Sequence, residues 1–155
     1  MNKFYRFSPI EDEKTFWKTL QYITIKLEKL SKEILNQQLS INTLKIFPHY
    51  PAEYQYLYKL VASLGNPASF NSKTSFYVHV DEKIHGNHIA YLGVRIVDPY
   101  RMQVGCGDYE VNDFTSARGK LINSSPFIRD VTDSTKMIEV WHPDVDVLGY
   151  VVPAV

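Results

Sequence analysis

The segment that decides the fold spans residues 88–111, HIAYLGVRIVDPYRMQVGCGDYEV. Its first ten residues, 88–97, have the apolar and β-branched character of a long strand. Asp98-Pro99 ends this strand, because proline has no N–H to donate to a neighbouring strand. Residues 103–111 predict a second strand. One structural unit therefore ends here and another begins.

Upstream, about residues 12–38 predict a long amphipathic helix. Ser8-Pro9-Ile10-Glu11 has the form of a capping box with proline at the first helical position, so the helical unit is predicted to begin near residue 8. We interpret the apolar stripe as packing on the core, with a dimer seam as the alternative. The stripe recurs at alternating spacings of four and three residues and consists of Phe16, Leu20, Ile23, Leu27, Leu30 and Ile34.

The remaining elements are short. A second helix is predicted for residues 51–64, with Gly65 as its stop, and a third is predicted to be capped by Asn112-Asp113. Residues 81–87 are predicted to form a loop. The other predicted strands lie at residues 43–48, 74–80, 126–131, 136–141 and 147–152.

The order of these elements predicts an α+β fold in one domain. After a helical unit at residues 8–38, the chain reads β-α-β-β over residues 40–98 and β-α-β-β-β over residues 102–153. Two similar units in succession are typical of a duplicated module. Because short strands cannot bury both faces alone, we expect the two βαβββ-like modules to form one curved, mostly antiparallel sheet around a cleft.

Composition narrows the partners and the location. The 155 residues are 45% hydrophobic and carry 17 basic and 17 acidic side chains, so the chain lacks the positive charge typical of nucleic-acid binders. Cys106 is the single cysteine, so no internal disulfide can form. Residues 1–10 lack the apolar core of a secretory signal, and no apolar run is long enough to span a membrane. We expect a cytoplasmic monomer or homodimer whose partner is a small molecule.

Three strings carry a family resemblance: Asn42-Thr43-Leu44, Asp108-Tyr109-Glu110 and Ile138-Glu139-Val140-Trp141-His142-Pro143. With the element order, they resemble the vicinal oxygen chelate superfamily, which includes glyoxalase I and the extradiol dioxygenases. The leading helix is similar to that of the YecM-like branch. The resemblance implies two βαβββ modules that form a cupped sheet over a metal site.

The metal set that the resemblance implies is altered in this chain. Thr43 stands where the YecM-like group has a first histidine, Asp108 where it has the histidine of a His-x-Glu pair, and Arg95 near the place of a glutamate. Arginine repels a cation, so we predict no cofactor. The alternative is a divalent metal at a rearranged site with Asp108 and Glu110 as ligands.

The same positions suit a polar or anionic ligand. Arg95 offers a planar fork of donors, while Asp108 and Glu110 lie two apart on one strand and so share a face. Tyr91 and Arg95 flank Gly93, which would leave room for a ligand against the sheet. The candidate ligand-binding residues are Thr43, Tyr91, Arg95, Asp108 and Glu110, and a wider cationic and aromatic set adds Tyr77, Arg101 and Arg129.

Other reactive residues have simpler interpretations. Cys106 is predicted to be a small buried residue whose pKa is raised by its neighbours, and His85-x-x-His88 is predicted to flank a surface turn. His142-x-Asp144-x-Asp146 fits turn chemistry as well as a metal cluster. The leading prediction is therefore small-molecule binding. The alternatives are a metal-dependent isomerase, lyase or oxygenase, and a protein that binds a partner through its N-terminal helix.

Overall fold

The computed structural model describes residues 5–69, 72–131 and 137–154, which form three helices and a seven-stranded mixed sheet. The α+β class and the long N-terminal helix are thereby confirmed. The helices are α1 (Glu13–Ile34), α2 (Pro51–Leu64) and α3 (Phe114–Leu121). The strands are β1 (Ile41–Ile46), β2 (Ser75–Ile84), β3 (Asn87–Arg95), β4 (Gly105–Val111), β5 (Ile128–Asp130), β6 (Ile138–Val140) and β7 (Val147–Pro153). Within these described segments, no helix combines the length and the apolar character needed to cross a bilayer.

The sheet joins two halves of similar plan. Its strand order is β2-β3-β1-β4-β7-β6-β5. In each half the first strand runs parallel to the last, β1 beside β3 and β4 beside β7, and the halves meet where β1 pairs antiparallel with β4. Four of the six pairs between described strands are antiparallel. This agrees with the predicted sheet built from two related modules.

Helix α1 covers one face of the sheet with the predicted apolar stripe. Phe16, Ile23 and Leu27 are fully buried there, so the stripe packs on the chain's own core and is not an exposed dimer seam. Gly107 of β4 lies directly beneath the helix: a Cβ at this position would be 2.4 Å from Leu27 Cδ1 and 2.7 Å from the Thr43 carbonyl oxygen. The glycines of β4 thus allow Ile23 and Leu27 of the helix to pack directly on the strand.

The start of α1 differs from the prediction. Asp12, not Ser8, is the N-cap, and its carboxylate accepts a hydrogen bond from the Thr15 N–H at 2.7 Å. The Ser8 hydroxyl lies 2.6 Å from His49 Nδ1 instead. The Ile10 N–H donates to the Glu53 carboxylate at 2.6 Å. Tertiary partners on the segment from β1 to α2 therefore satisfy the groups that would have formed the capping box.

The helix also ends earlier than predicted, at Ile34 and not near Gln38. Asn36 adopts a left-handed backbone conformation (φ 57°), which stops the helix. The Ser31 hydroxyl donates to the Gln37 carbonyl at 2.5 Å and accepts from the Leu39 N–H at 3.0 Å. These bonds turn the chain toward β1.

The predicted loop at residues 81–87 is wrong, because this stretch is mostly strand. β2 continues to Ile84 and pairs with Asn87, so the turn is only His85-Gly86. Both turn residues have positive φ (49° and 82°), as a tight type I′ hairpin requires. A register shift between His79 and Glu82 and the edge position of β2 keep the charged residues in water.

Candidate functional site

A cavity of about 300 Å³ lies on the open face of the sheet, opposite α1. Strand alternation points Lys45 of β1 and both Cys106 and Asp108 of β4 toward it. The backbone register sets Lys45 beside Cys106 and Thr43 beside Asp108. The two central strands therefore supply the floor of the cavity, and neighbouring strands and the segment between β3 and β4 supply its walls.

Three cationic side chains of this cavity converge on one aromatic ring. From the centroid of Phe47, the Arg95 Cζ is 5.8 Å away, the Arg101 Cζ 5.7 Å and the Lys45 Nζ 5.9 Å. Both arginines share one carboxylate, Asp98, at 3.4 Å and 3.9 Å. This end of the cavity therefore has more positive than negative charge.

Lys45 holds a central place among these groups. Its Nζ donates to the Ser75 hydroxyl at 3.1 Å and lies 5.5 Å from the centroid of the Tyr77 ring. Burial by itself would lower the pKa of the Lys45 ammonium, but the nearby Cys106, Tyr77 and Asp108 raise it above its usual value. The Lys45 side chain is consequently a protonated ammonium and not an amine activated for nucleophilic attack.

Asp108 is the acid on the cavity floor. Burial raises the pKa of its carboxyl to about 6, an effect that the Lys45 ammonium opposes and the Glu110 carboxylate reinforces. Within the described part of the chain, no group donates a hydrogen bond to this carboxyl. Asp108 can therefore accept a hydrogen bond from a ligand, and it can gain or lose a proton near neutral pH.

A second acid, Glu139 of β6, lines the wall. Its Oε1 accepts from Arg129, whose Nε lies at 3.1 Å, and its Oε2 accepts from the Tyr150 hydroxyl at 3.0 Å. Burial raises the pKa of Tyr150, so the phenol stays protonated. Because its one proton is directed at Glu139, the Tyr150 oxygen faces a ligand only as an acceptor.

Cys106 matches the prediction of a buried, unreactive thiol. It is 3% exposed and forms a small apolar cluster with Phe47 and Leu148. Burial raises its pKa to about 11, and although Lys45 opposes the rise, the thiolate is not formed near neutral pH. Cys106 contributes shape to the floor and no nucleophile.

The space predicted above Gly93 is occupied. A Cβ at Gly93 would lie 2.6 Å from the Tyr77 ring, because Tyr77 pairs with Gly93 across β2 and β3 and lies over it. Tyr91 packs beside His79, with ring centroids 5.0 Å apart, and is not among the cavity walls. The aromatic wall is therefore formed by Tyr77 and Phe47.

The remaining predicted residues lie beside the cavity. The Thr43 hydroxyl donates to Asn42 Oδ1 at 3.1 Å, and the Asn42 amide donates to the Glu110 carboxylate. Of the five predicted ligand-binding residues, Arg95 and Asp108 line the cavity, whereas Thr43, Tyr91 and Glu110 do not.

The donor set does not fit the metal that the family resemblance implies. Asp108 offers one carboxylate, Thr43 directs its hydroxyl at Asn42, and Arg95 carries a positive charge. In residues 5–69, 72–131 and 137–154, no three His, Cys, Asp or Glu side chains group closely enough to hold a metal ion. Transition metals prefer imidazole, thiolate or paired carboxylates, which this set does not supply.

The histidines flagged in the sequence have separate partners. His85 contacts Glu28 of α1 at 2.8 Å, and His88 contacts Asp81 at 2.6 Å across the hairpin. The His142 ring accepts the Asp144 N–H at 3.1 Å within a turn, as the turn interpretation expects. Asp146 accepts a hydrogen bond from Arg6 at 2.9 Å.

Sequence reasoning missed several residues of the cavity, namely Lys45, Phe47, Glu139 and Tyr150. A signal for Lys45 was present: Thr43, Lys45 and Phe47 alternate along one short strand, so the charge must share a face with the ring. Glu139 stands between two buried residues, Ile138 and Val140, as an acid in an apolar strand. Such an acid needs a partner, which Arg129 supplies.

Comparison with known proteins identifies the fold and no family. No family model and no curated protein matches the chain. A solved structure named "Structural Genomics, Protein EC4020" is similar, with a TM-score of 0.62 at 13% sequence identity, and the likeness covers 99% of this chain and 92% of that chain. At this identity the likeness establishes a shared fold over nearly the whole chain.

Proposed function

We propose that the protein binds a small polar or anionic molecule in the cavity on the open face of its sheet. One observation carries the proposal: Lys45, Arg95 and Arg101 surround the Phe47 ring, each within 5.9 Å of its centroid. The three cations line one cavity, where the two arginines share the single carboxylate of Asp98, so an anion bound among them would offset the excess of positive charge.

The enclosing surface supports a small ligand. The volume of about 300 Å³ is at the lower end of the range typical for ligand pockets. Arg95 and Arg101 offer planar forks of donors, and Lys45 adds a point charge. Phe47 and Tyr77 supply an aromatic wall for the ligand, and Asp108 orients its polar groups.

Replacement of Arg95 with alanine tests the proposal. Succinate and inorganic phosphate serve as probes, with affinity measured by isothermal titration calorimetry. Loss of a charge-assisted hydrogen bond should weaken binding by about 10-fold to 100-fold. The matched control is Arg118→Ala, because Arg118 is paired with Asp130 and lies outside the cavity. Absence of binding by the unaltered protein, or equal affinity in the Arg95 variant, would reject the proposal.

The superfamily, the cellular location and the class of partner are also part of this proposal. Two modules sharing one sheet, with a cavity on its open face, support the resemblance to the vicinal oxygen chelate superfamily. The metal chemistry of that superfamily has no support from the donor set described above. Equal numbers of acidic and basic residues argue against a nucleic-acid partner, and the single cysteine, which permits no internal disulfide, supports a cytoplasmic protein.

One observation favours a second candidate, an enzyme of isomerase or lyase type that transfers protons. Asp108 has a pKa of about 6 on the floor of a cavity, where the Lys45 ammonium acts on it, a combination suited to a general acid or base. Incubation with small carboxylates in D₂O, followed by NMR, tests this candidate. With the unaltered protein, deuterium should replace hydrogen on the carbon atom next to the carboxylate of the probe. With Asp108→Asn, this exchange should be absent. No incorporation with any probe would remove it.

A further inference from the structure

We infer that the ligand of this cavity is a zwitterion: a small carboxylate that also carries a primary ammonium group. The inference rests on the proposed function and narrows it from an anion to a bipolar molecule. Its basis is the division of the cavity walls into one end that can only donate hydrogen bonds and another that, toward a ligand, mainly accepts them.

The donor end consists of Lys45, Arg95 and Arg101. Ammonium and guanidinium groups have no acceptor atoms, so a ligand group held there must be an acceptor. A carboxylate matches a guanidinium in two parallel hydrogen bonds. This end therefore selects the carboxylate of the ligand.

The acceptor end consists of Asp108, Tyr150 and Glu139, which lie in register across β4, β7 and β6. The Tyr150 proton is already given to Glu139, and the Glu139 oxygens accept from Arg129 and Tyr150. No described side chain donates to Asp108. A ligand group here must be a hydrogen-bond donor, and an ammonium supplies three donors and a charge opposite to that of the carboxylates.

The two ends are separated along the strands. Asp108 is paired with Thr43, two residues before Lys45 on β1, so the backbone positions of Asp108 and Lys45 are offset by about 6.6 Å along the strands. Arg95 lies two residues beyond Gly93, the β3 partner of Lys45, and so farther from Asp108. An ω-amino acid, whose charges are several bonds apart, fits this spacing better than an α-amino acid.

Matched probes test the inference by calorimetry: butanoate, 4-hydroxybutanoate and 4-aminobutanoate differ in one terminal group, and glycine shortens the spacing. We expect 4-aminobutanoate to bind at least about 10-fold more tightly than butanoate, because a charge-assisted hydrogen bond is added. The hydroxyl compound should fall between them, and glycine should bind more weakly than 4-aminobutanoate. Asp108→Asn should remove most of the preference for 4-aminobutanoate over butanoate.

The outcomes separate the two proposals. Equal affinity for butanoate and 4-aminobutanoate would overturn the zwitterion and leave anion binding intact. The zwitterion is equally overturned if 4-hydroxybutanoate binds most tightly or if Asp108→Asn keeps the full amino preference. Failure of every carboxylate and of phosphate to bind would overturn the proposed function as well. Thermal unfolding of the variant beside the unaltered protein distinguishes lost binding from lost folding.

Discussion

The two faces of β4 differ completely in chemistry although they belong to the same seven residues. Toward α1 the strand presents Gly105, Gly107 and the buried ring of Tyr109, and toward the open side it presents Cys106 and Asp108. On the helix side, the two glycines leave space in which Ile23 and Leu27 pack against the strand. The open side keeps ionisable groups in a partly enclosed space, where they have a cost for folding.

In our proposal, this difference separates residues that stabilise the fold from residues that bind a ligand. On the helix side each side chain has a packing partner in the same chain, such as Leu27 over Gly107. On the open side, Arg95 and Arg101 share the Asp98 carboxylate, and Lys45 donates to the Ser75 hydroxyl and is stabilised by Asp108. Paired substitutions on the two faces can test the distinction.

The largest expected effect is on the helix side. Gly107→Ala would place a Cβ 2.7 Å from the rigid Thr43 carbonyl oxygen, so the sheet or the helix must shift. We expect a loss of about 3 kcal/mol in the free energy of unfolding, measured by urea denaturation. The control is Gly119→Ala in α3, where no atom lies within 4 Å and helix propensity predicts a gain of about 1 kcal/mol. Similar values for both variants would contradict the close approach of α1.

The next effect is on the open side and has the opposite sign. Because the folded-state pKa of Asp108 is raised from 3.8 to about 6, its ionisation opposes folding. A rise of this size corresponds to about 3 kcal/mol. Asparagine keeps part of the burial cost, so Asp108→Asn should stabilise the fold by about 1 to 2 kcal/mol at pH 7.5.

The stabilisation expected for Asp108→Asn is larger at high pH than at low pH. Near pH 4 the folded protein holds Asp108 protonated, so most of the ionisation penalty is absent. The penalty grows as the pH rises from about 3.8, the usual pKa of the group, to about 6, the pKa that burial and Glu110 raise and Lys45 lowers, and it is full above that pH. Urea denaturation at pH 4 and pH 7.5 should therefore give a larger gain at the higher pH. An equal gain at both values would mean that Asp108 titrates normally.

The smallest expected effect compares two phenols. Tyr109→Phe removes a buried hydrogen bond of 2.5 Å to the Leu27 carbonyl and should cost about 1 kcal/mol of stability. Tyr150→Phe removes the hydrogen bond to Glu139, which keeps Arg129 as a partner, so stability should change less. The affinity for 4-aminobutanoate should instead fall only in the Tyr150 variant. Equal changes in stability and in affinity for the two variants would contradict the distinction between the two faces of β4.

Much of the fold could be predicted from local patterns. The helix at residues 51–64 agrees with α2 in both bounds, and the cap of α3 at Asp113 was also found. The errors lie where distant contacts replace local ones. Ser8 has the residue type of an N-cap but contacts His49, 41 positions away, and β2 extends through a charged stretch because an edge strand leaves its side chains in water.

The candidate site was predicted only in part, because contacts between distant segments again decide which residues meet. Alternation along β4 placed Asp108 on one face of the strand. The planar guanidinium of Arg95 predicted that this residue binds an anion. Lys45, Tyr150 and Glu139 join them only through strand pairing, and the open space expected over Gly93 is filled by Tyr77 from another strand.

By itself, the sequence determined most of the secondary structure, the repeated order of elements and the faces of the central strand residues, because these follow from periodicity within short stretches of chain. Only the tertiary structure decided which faces meet. Lys45, Arg95 and Arg101 come from two strands and a connecting segment, and their approach to one Phe47 ring depends on the register between strands. Register is a property of pairs of segments, so no single segment encodes it.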